Sequence, residues 1–267
     1  GWATYHIQAK NPKANIIVTP ADHLILQEDV FEEAIKQALA FVAQHPQLVT
    51  LGVRPSRPET GYGYIQITGE TEGGFVQVKT FTEKPNLEMA KVFLESGEFL
   101  WNSGMFAWNV QTILDAFHRY LPSLTSVLDE VNGHYAQSEE QQHVGAIFSQ
   151  CPNISIDYAV LEKADNVMVL PVDFGWADLG TWGSLYDLKK AEDRDNVALH
   201  TEALFYEAEG NIVSMDGEGD QLVVVQGIND CIISQSNGVL LICKRGEEQR
   251  IKEFMAEASL RFDKRYD

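Results

Sequence analysis

Asn153-Ile-Ser-Ile-Asp-Tyr-Ala-Val-Leu-Glu162, followed by Val167-Met-Val-Leu-Pro-Val-Asp-Phe-Gly-Trp-Ala-Asp-Leu-Gly180, sets a helical pattern, a short apolar strand and a glycine-bearing turn one after another. That succession predicts that Asp178 emerges just past a buried strand, at the edge where α/β sheets bind ligands.

The same alternation recurs upstream. Ala14 to Thr19 (A-N-I-I-V-T) reads as a strand buried on both faces and ended by Pro20, which leaves Asp22 at its C-terminal edge. Apolar residues from Val30 to Val42 then recur at helical spacing behind Glu28 and Asp29, and Leu48 to Val53 is the next strand. Strand, acidic turn, helix and strand predict a mainly parallel sheet. Arg54 to Gly63 is a loop by composition. It leads into a hairpin of Tyr64 to Ile67 and Phe75 to Phe81 with a turn at Thr68 to Gly74, and this hairpin should bring Gly61 to Gly63 close to Glu83-Lys84. Asn86 is placed to cap a helix through Leu94. Phe99 to Val110 is the most aromatic stretch and holds Asn102, Ser103 and Gly104 among apolar neighbours, where polar groups need partners. Gln111 to Gln150 predicts two or three helices, broken at Pro122 and near Gly133, and Thr181 to Lys190 predicts another. Gly1 to Gln8 reads as the end of a helix, and so abrupt a start carries the expectation that native sequence precedes Gly1. Ala191 to His200 is a polar connection that marks a boundary, followed by short strands near Ile212, Leu222, Asp230 and Val239 and a charged helix from Glu247 to about Leu260.

Composition narrows the function classes. Twenty basic against thirty-nine acidic side chains give a formal charge of −19, which repels nucleic-acid backbones and anionic membranes, so any phosphate must be held locally. The apolar runs are too short for a membrane helix and no stretch has the makeup of a signal peptide. Cys151, Cys231 and Cys243 have neither an even count nor C-x-x-C spacing, which fits buried thiols in a reducing cytoplasm.

Asp22 and Asp178, at two strand ends, are what Mg²⁺ on a substrate's phosphates requires; equally, Asp22 could cap a helix and Asp178 order a turn. Glu83 and Lys84 could contact sugar hydroxyls and a phosphate, or form a solvated surface pair. Gly61 and Gly63 could admit a ligand to the backbone or serve a turn. Asn102 could be a ligand contact or structural, Asp157 a favourable charge at a helix start, and His23 a local packing group. Asp193-Arg194-Asp195 has the D-x-D spacing of metal-dependent glycosyltransferases, but no apolar strand leads into it.

Six motifs in order, V-T-P-A-D-H (18 to 23), G-Y-G-Y-I (61 to 65), F-T-E-K-P (81 to 85), W-N-S-G-M-F (101 to 106), S-I-D-Y-A-V-L-E-K (155 to 163) and G-W-A-D-L-G-T-W (175 to 182), make the chain resemble bacterial mannose-1-phosphate guanylyltransferases. The resemblance implies an α/β fold: a Rossmann-like mixed sheet of the nucleotidyltransferase type over residues 1–195, and a small β-rich domain with a terminal helix over 196–267. It implies that GTP and mannose 1-phosphate give GDP-mannose and pyrophosphate, the sugar phosphate attacking the α-phosphorus with no covalent enzyme intermediate. By resemblance Asp22 and Asp178 hold Mg²⁺, Gly63, Glu83 and Asn102 contact mannose, Lys84 sits by the sugar's phosphate, and Asp157 supports the sugar pocket. The family's opening strand and G-x-G-x-R-L-x-P-L-S loop, which grip the triphosphate, have no counterpart in these residues. The expectation is that this chain carries mainly the sugar and metal half of a site. A non-catalytic sugar-nucleotide-binding or assembly subunit, and a transferase for another hexose 1-phosphate, stay open as alternatives. The tail's strands and final helix are candidates for a homodimer contact.

Overall fold

The computed structural model describes residues 1–190, 195–216 and 221–262, apart from the side chain of Glu70. In chain order the elements are α1 (Trp2–Lys10), β1 (Asn15–Val18), β2 (Leu24–Ile25), α2 (Glu28–Val42), β3 (Leu48–Val53), β4 (Gly63–Glu72), β5 (Phe75–Glu83), α3 (Leu87–Ser96) and β6 (Phe99–Asn109). There follow α4 (Val110–Tyr120), α5 (Pro122–Leu128), α6 (Glu140–Ile147), a π-helical turn (Asp157–Leu161), β7 (Val167–Val172), β8 (Trp176–Ala177) and α7 (Trp182–Lys189). The tail comprises β9 (Val197–Leu199), β10 (Glu202–Tyr206), β11 (Ile212–Met215), β12 (Leu222–Gln226), β13 (Cys231–Ser236), β14 (Val239–Lys244) and α8 (Ile251–Arg261). Packing divides the chain into two units, one of residues 1–21 and 25–176, the other of residues 22–24 and 177–267. Helix α7 therefore packs with the β-rich unit, although a sequence boundary at 195 assigns it to the first.

The first unit is built on a six-stranded sheet in the order β1-β6-β3-β7-β5-β4, with a further β6–β4 pairing. It is mixed rather than mainly parallel: β3 runs parallel to β7, while β6 pairs antiparallel with β1, β3 and β4. The reason is the hairpin, which inserts two antiparallel strands, and the long β6, which returns against three neighbours. Strand β3 is buried along almost its whole length and β7 along most of it. Strand β1 corrects the expectation of a strand covered on both faces, since within this sheet it pairs only with β6 and of its four residues only Ile16 is buried. The hairpin is longer than expected. Strand β4 continues to Glu72 through shifted register, and the turn is confined to Gly73 and Gly74, both at positive φ, a conformation other residues adopt at a cost.

Two apolar layers sandwich the sheet. On one side Leu48, Phe106, Trp108 and Val167 pack with α4 and the π-helical turn; on the other Val49, Leu51, Ala107 and Met168 pack with α2. Helix caps follow the sequence: Asn86 Oδ1 accepts from the Met89 N–H at 2.9 Å, and Asn109 Oδ1 from Gln111 at 2.9 Å.

In the second unit β9, β11, β13 and β14 form one sheet and β10 pairs in parallel with β12, while Thr181 caps α7 by accepting from the Ser184 N–H at 3.1 Å. Val213, Val225 and Ile233 fill one core, and Tyr186, Val197, Ile212 and Ile232 another. The expected helix from Glu247 begins later, a 3-10 turn over Arg245–Arg250 preceding α8. Asp193 and Arg194 of the D-x-D run lie outside the described residues.

Candidate functional site

Strand β6 has a bulge where its neighbours change. Thr50 of β3 faces Phe106, but Gly52 faces Asn102, so Ser103 to Met105 loop out against Leu51. Gly104, at φ +72°, makes the excursion possible, and Ser103 Oγ anchors it by donating to the Leu51 carbonyl at 2.7 Å. Asn102 stands at the edge of this bulge. Its Oδ1 accepts from Thr50 Oγ1 at 3.1 Å and from the Gly104 N–H at 3.3 Å, and its Nδ2 donates to Asp157 Oδ1 at 2.8 Å.

Gly63 opens β4 and pairs with Glu83, the last residue of β5. A Cβ at Gly63 would lie 2.5 Å from Glu83 Oε2 and 3.5 Å from Asn102 Cβ, so a side chain there would displace the carboxylate. The hairpin thus delivers Gly63 and Glu83 to one place, as its composition predicts. Lys84 follows with φ +47°, a strained conformation for a non-glycine residue, its N–H donating to Tyr62 O at 3.2 Å and its exposed Nζ 3.0 Å from Glu83 Oε1.

Gly63, Glu83, Asn102 and Asp157 therefore meet in one set of contacts in the first unit, with Lys84 at its rim. Three more residues belong to the set. Asp157 begins the π-helical turn, and the Glu162 N–H donates to Asp157 O at 2.9 Å, which stacks the two acidic residues one π turn apart. Burial, then the charges of Asp157 and Glu83, push the Glu162 carboxyl above the usual carboxylate range. Buried Glu59 secures the loop before β4, accepting from Gly61 N–H at 2.8 Å and from Arg57 at 3.1 and 3.2 Å, while the Arg57 guanidinium lies 5.4 Å from the Trp101 ring. Thr50 is fully buried beneath Asn102. In sequence Glu59 looks like a solvated loop charge and Thr50 an ordinary strand residue. Only the five-residue spacing of Asp157 and Glu162 could have hinted at the third. Chemically the set offers carboxylate acceptors, one amide donor and one ammonium, which suits a polyol bearing an anionic group.

In the second unit, Asp178 follows β8 rather than the buried β7, because Asp173 to Gly175 intervene. Its Oδ1 accepts from the Gly180 N–H at 2.7 Å. Asp22 precedes β2, and β2 pairs with β8. Neither carboxylate is paired with a basic side chain among the described residues, which leaves hard oxygen donors of the kind Mg²⁺ takes. No group of three or more His, Cys, Asp or Glu gathers as a metal site among the described residues. A metal held by these two residues would complete its shell with phosphate oxygens and water. No helix among the described residues is long and apolar enough to cross a membrane.

A family model described as nucleotidyl transferase matches residues 2–194. The chain is 35% identical over 262 residues to a mannose-1-phosphate guanylyltransferase of Escherichia coli, covering 95% of this chain and 55% of that relative. It is 32% identical over 263 residues to mannose-1-phosphate guanylyltransferase 2 of Escherichia coli O157:H7, covering 95% and 54%. The chain thus spans about half the length of the curated relatives it matches. A crystal structure titled mannose-1-phosphate geranyltransferase, from Thermus thermophilus, superposes with a TM-score of 0.77 at 29% identity over 96% of this chain and 73% of that one.

Proposed function

The chain belongs to the nucleotidyl transferase family, and we propose that the protein is a mannose-1-phosphate guanylyltransferase, making GDP-mannose and pyrophosphate from GTP and mannose 1-phosphate. The names of its relatives support this substrate pair. The observation that carries it is the convergence of Gly63, Glu83, Asn102 and Asp157, from four separate segments, on one acceptor-rich spot.

In this reading Glu83 accepts hydrogen bonds from mannose hydroxyls, Asn102 donates one through Nδ2, and Gly63 leaves room for the ring to approach the backbone. Asp157 orients Asn102, and Lys84 sets its ammonium against the sugar's phosphate. An oxygen of that phosphate attacks the α-phosphorus of GTP; the new P–O bond forms as the α–β anhydride bond breaks and pyrophosphate departs. Positioning and charge neutralisation carry the rate, with no covalent enzyme intermediate. Asp22 and Asp178 would hold Mg²⁺, which when bound supplies charge neutralisation on the phosphates. We assign residues 1–195, of which the family model matches 2–194, to the transferase domain by sequence, with α7 folded among the residues of the β-rich unit, and 196–267 to a small β-rich domain. We place the protein in the cytoplasm, where free Cys151, Cys231 and Cys243 persist.

The test is pyrophosphate release by the protein with GTP, Mg²⁺ and a panel of hexose 1-phosphates. Release with mannose 1-phosphate, lost in Asn102→Ala, is the expected result. Turnover confined to another hexose 1-phosphate or another nucleotide would overturn the assignment, and binding of GDP-mannose without any turnover would make the protein a sugar-nucleotide-binding subunit.

A further inference from the structure

We propose that Thr50 is a specificity-determining positioning residue: from β3 it fixes the polarity of the Asn102 amide, so that the site presents an N–H donor, and not a carbonyl, to the sugar. The inference rests on the reading of Asn102 as a sugar contact. Thr50 is a fully buried polar residue in the middle of the sheet, where a valine would serve packing equally well. Its Oγ1 lies 3.1 Å from Asn102 Oδ1 and 3.3 Å from Met105 O, and a hydroxyl has one proton to donate. The proton goes to the nearer acceptor, Oδ1, where the Gly104 N–H at 3.3 Å is a second donor. A flipped amide would turn its N–H groups towards the fixed Gly104 N–H and its carbonyl towards the Asp157 carboxylate, and would take the nearer acceptor away from the Thr50 proton.

Among the described residues Nδ2 donates only to Asp157, so one of its two N–H bonds is left for a ligand. That makes hydroxyl geometry legible to the site, because an N–H demands a lone pair where a carbonyl would demand a proton. Thr50 acts on the sugar only through Asn102, and the β6 bulge is what brings the two within reach.

The test is a double-mutant cycle. Mannose 1-phosphate and glucose 1-phosphate are titrated calorimetrically into wild-type protein, Thr50→Val, Thr50→Ser, Asn102→Ala and the Thr50→Val/Asn102→Ala pair. The loss of one buried hydrogen bond should weaken mannose 1-phosphate binding by Thr50→Val roughly 3- to 10-fold and compress the preference over glucose 1-phosphate, with Thr50→Ser within about 2-fold of wild type. Thr50→Val should have no further effect once Asn102 is alanine. Equal effects of Thr50→Val in both backgrounds, or no rescue by serine, would overturn the inference. If Asn102→Ala leaves binding unchanged, the reading of Asn102 as a sugar contact fails instead. A second measurement decides the role of Thr50 without ligand: one Asn102 Nδ2 proton, held by Asp157, should exchange slowly in wild type and quickly in Thr50→Val. Unchanged exchange would overturn the positioning role.

Discussion

Asn102 Nδ2 donates to Asp157 Oδ1 at 2.8 Å, tying the bulge of β6 to a π-helical turn 55 residues further along the chain. A charge-assisted bond of this kind holds both groups in one geometry, and replacing Asp157 leaves the amide with one fewer partner. Asp157→Ala should weaken mannose 1-phosphate binding roughly 10-fold, about the weight of one hydrogen bond to a charged group. Calorimetric titration checks this, and an unchanged affinity in a folded variant removes Asp157 from the pocket.

Gly63 is the position where a single methyl group should matter. Alanine there places Cβ against Glu83 Oε2, the end of a flexible side chain, so the fold should survive with about 1 kcal/mol or less of lost stability while the carboxylate moves. The expected kinetic result is a KM for mannose 1-phosphate raised roughly 10-fold, with a smaller change in kcat. A KM equal to that of wild type would show that Glu83 is not a sugar contact.

The metal assignment predicts that binding of GDP-mannose depends on Asp178. Titration with GDP-mannose and Mg²⁺ should saturate for wild type and weaken strongly on Asp178→Ala or in excess EDTA, whereas mannose 1-phosphate binding through the first unit's residues should persist without metal. Equal affinity for GDP-mannose in wild type and variant, with and without EDTA, would rule out a metal role for Asp178.

Glu140 anchors α1. Its buried carboxylate accepts from Trp2 Nε1 at 2.6 Å and the Ala136 N–H at 2.9 Å and pairs with His6 Nδ1 at 2.6 Å. Burial opposes ionisation here, yet these partners outweigh it and hold the carboxyl below its ordinary value of 4.5. The folded state therefore binds this proton less readily than the unfolded chain. Its contribution to stability is fully present above the unfolded value of 4.5 and is lost as pH falls through the lower folded value. Glu140→Ala should cost about 2–3 kcal/mol at neutral pH, measured by urea unfolding, and should flatten the acid limb of the stability profile. An acid limb identical in the two proteins would contradict the assignment.

The β10–β12 ribbon turns Leu204, Tyr206, Leu222 and Val224 outwards, and Leu240 and Ile242 of β14 are exposed as well. We propose that a homodimer, if the protein forms one, uses the apolar side chains of the β10–β12 ribbon. Leu204→Glu with Val224→Glu should then convert a dimeric scattering mass to a monomeric one; a monomeric wild type removes the dimer.

What was legible in the sequence is what local forces decide. Apolar period marked α2, β3 and β7, the side-chain oxygen of Asn86 marked a helix start, and glycines near 73 marked the hairpin turn, because each depends on a few neighbouring residues. The motif order disclosed the family for the same reason, since its residues lie in short runs. Tertiary structure alone decided how those runs meet. Strand β6 pairs with three partners and bulges between them, and only this pairing sets Thr50 beneath Asn102 and turns Asn102 towards Asp157. Register between distant strands is settled by the burial of whole faces across the sheet, a collective quantity that no single window of residues contains.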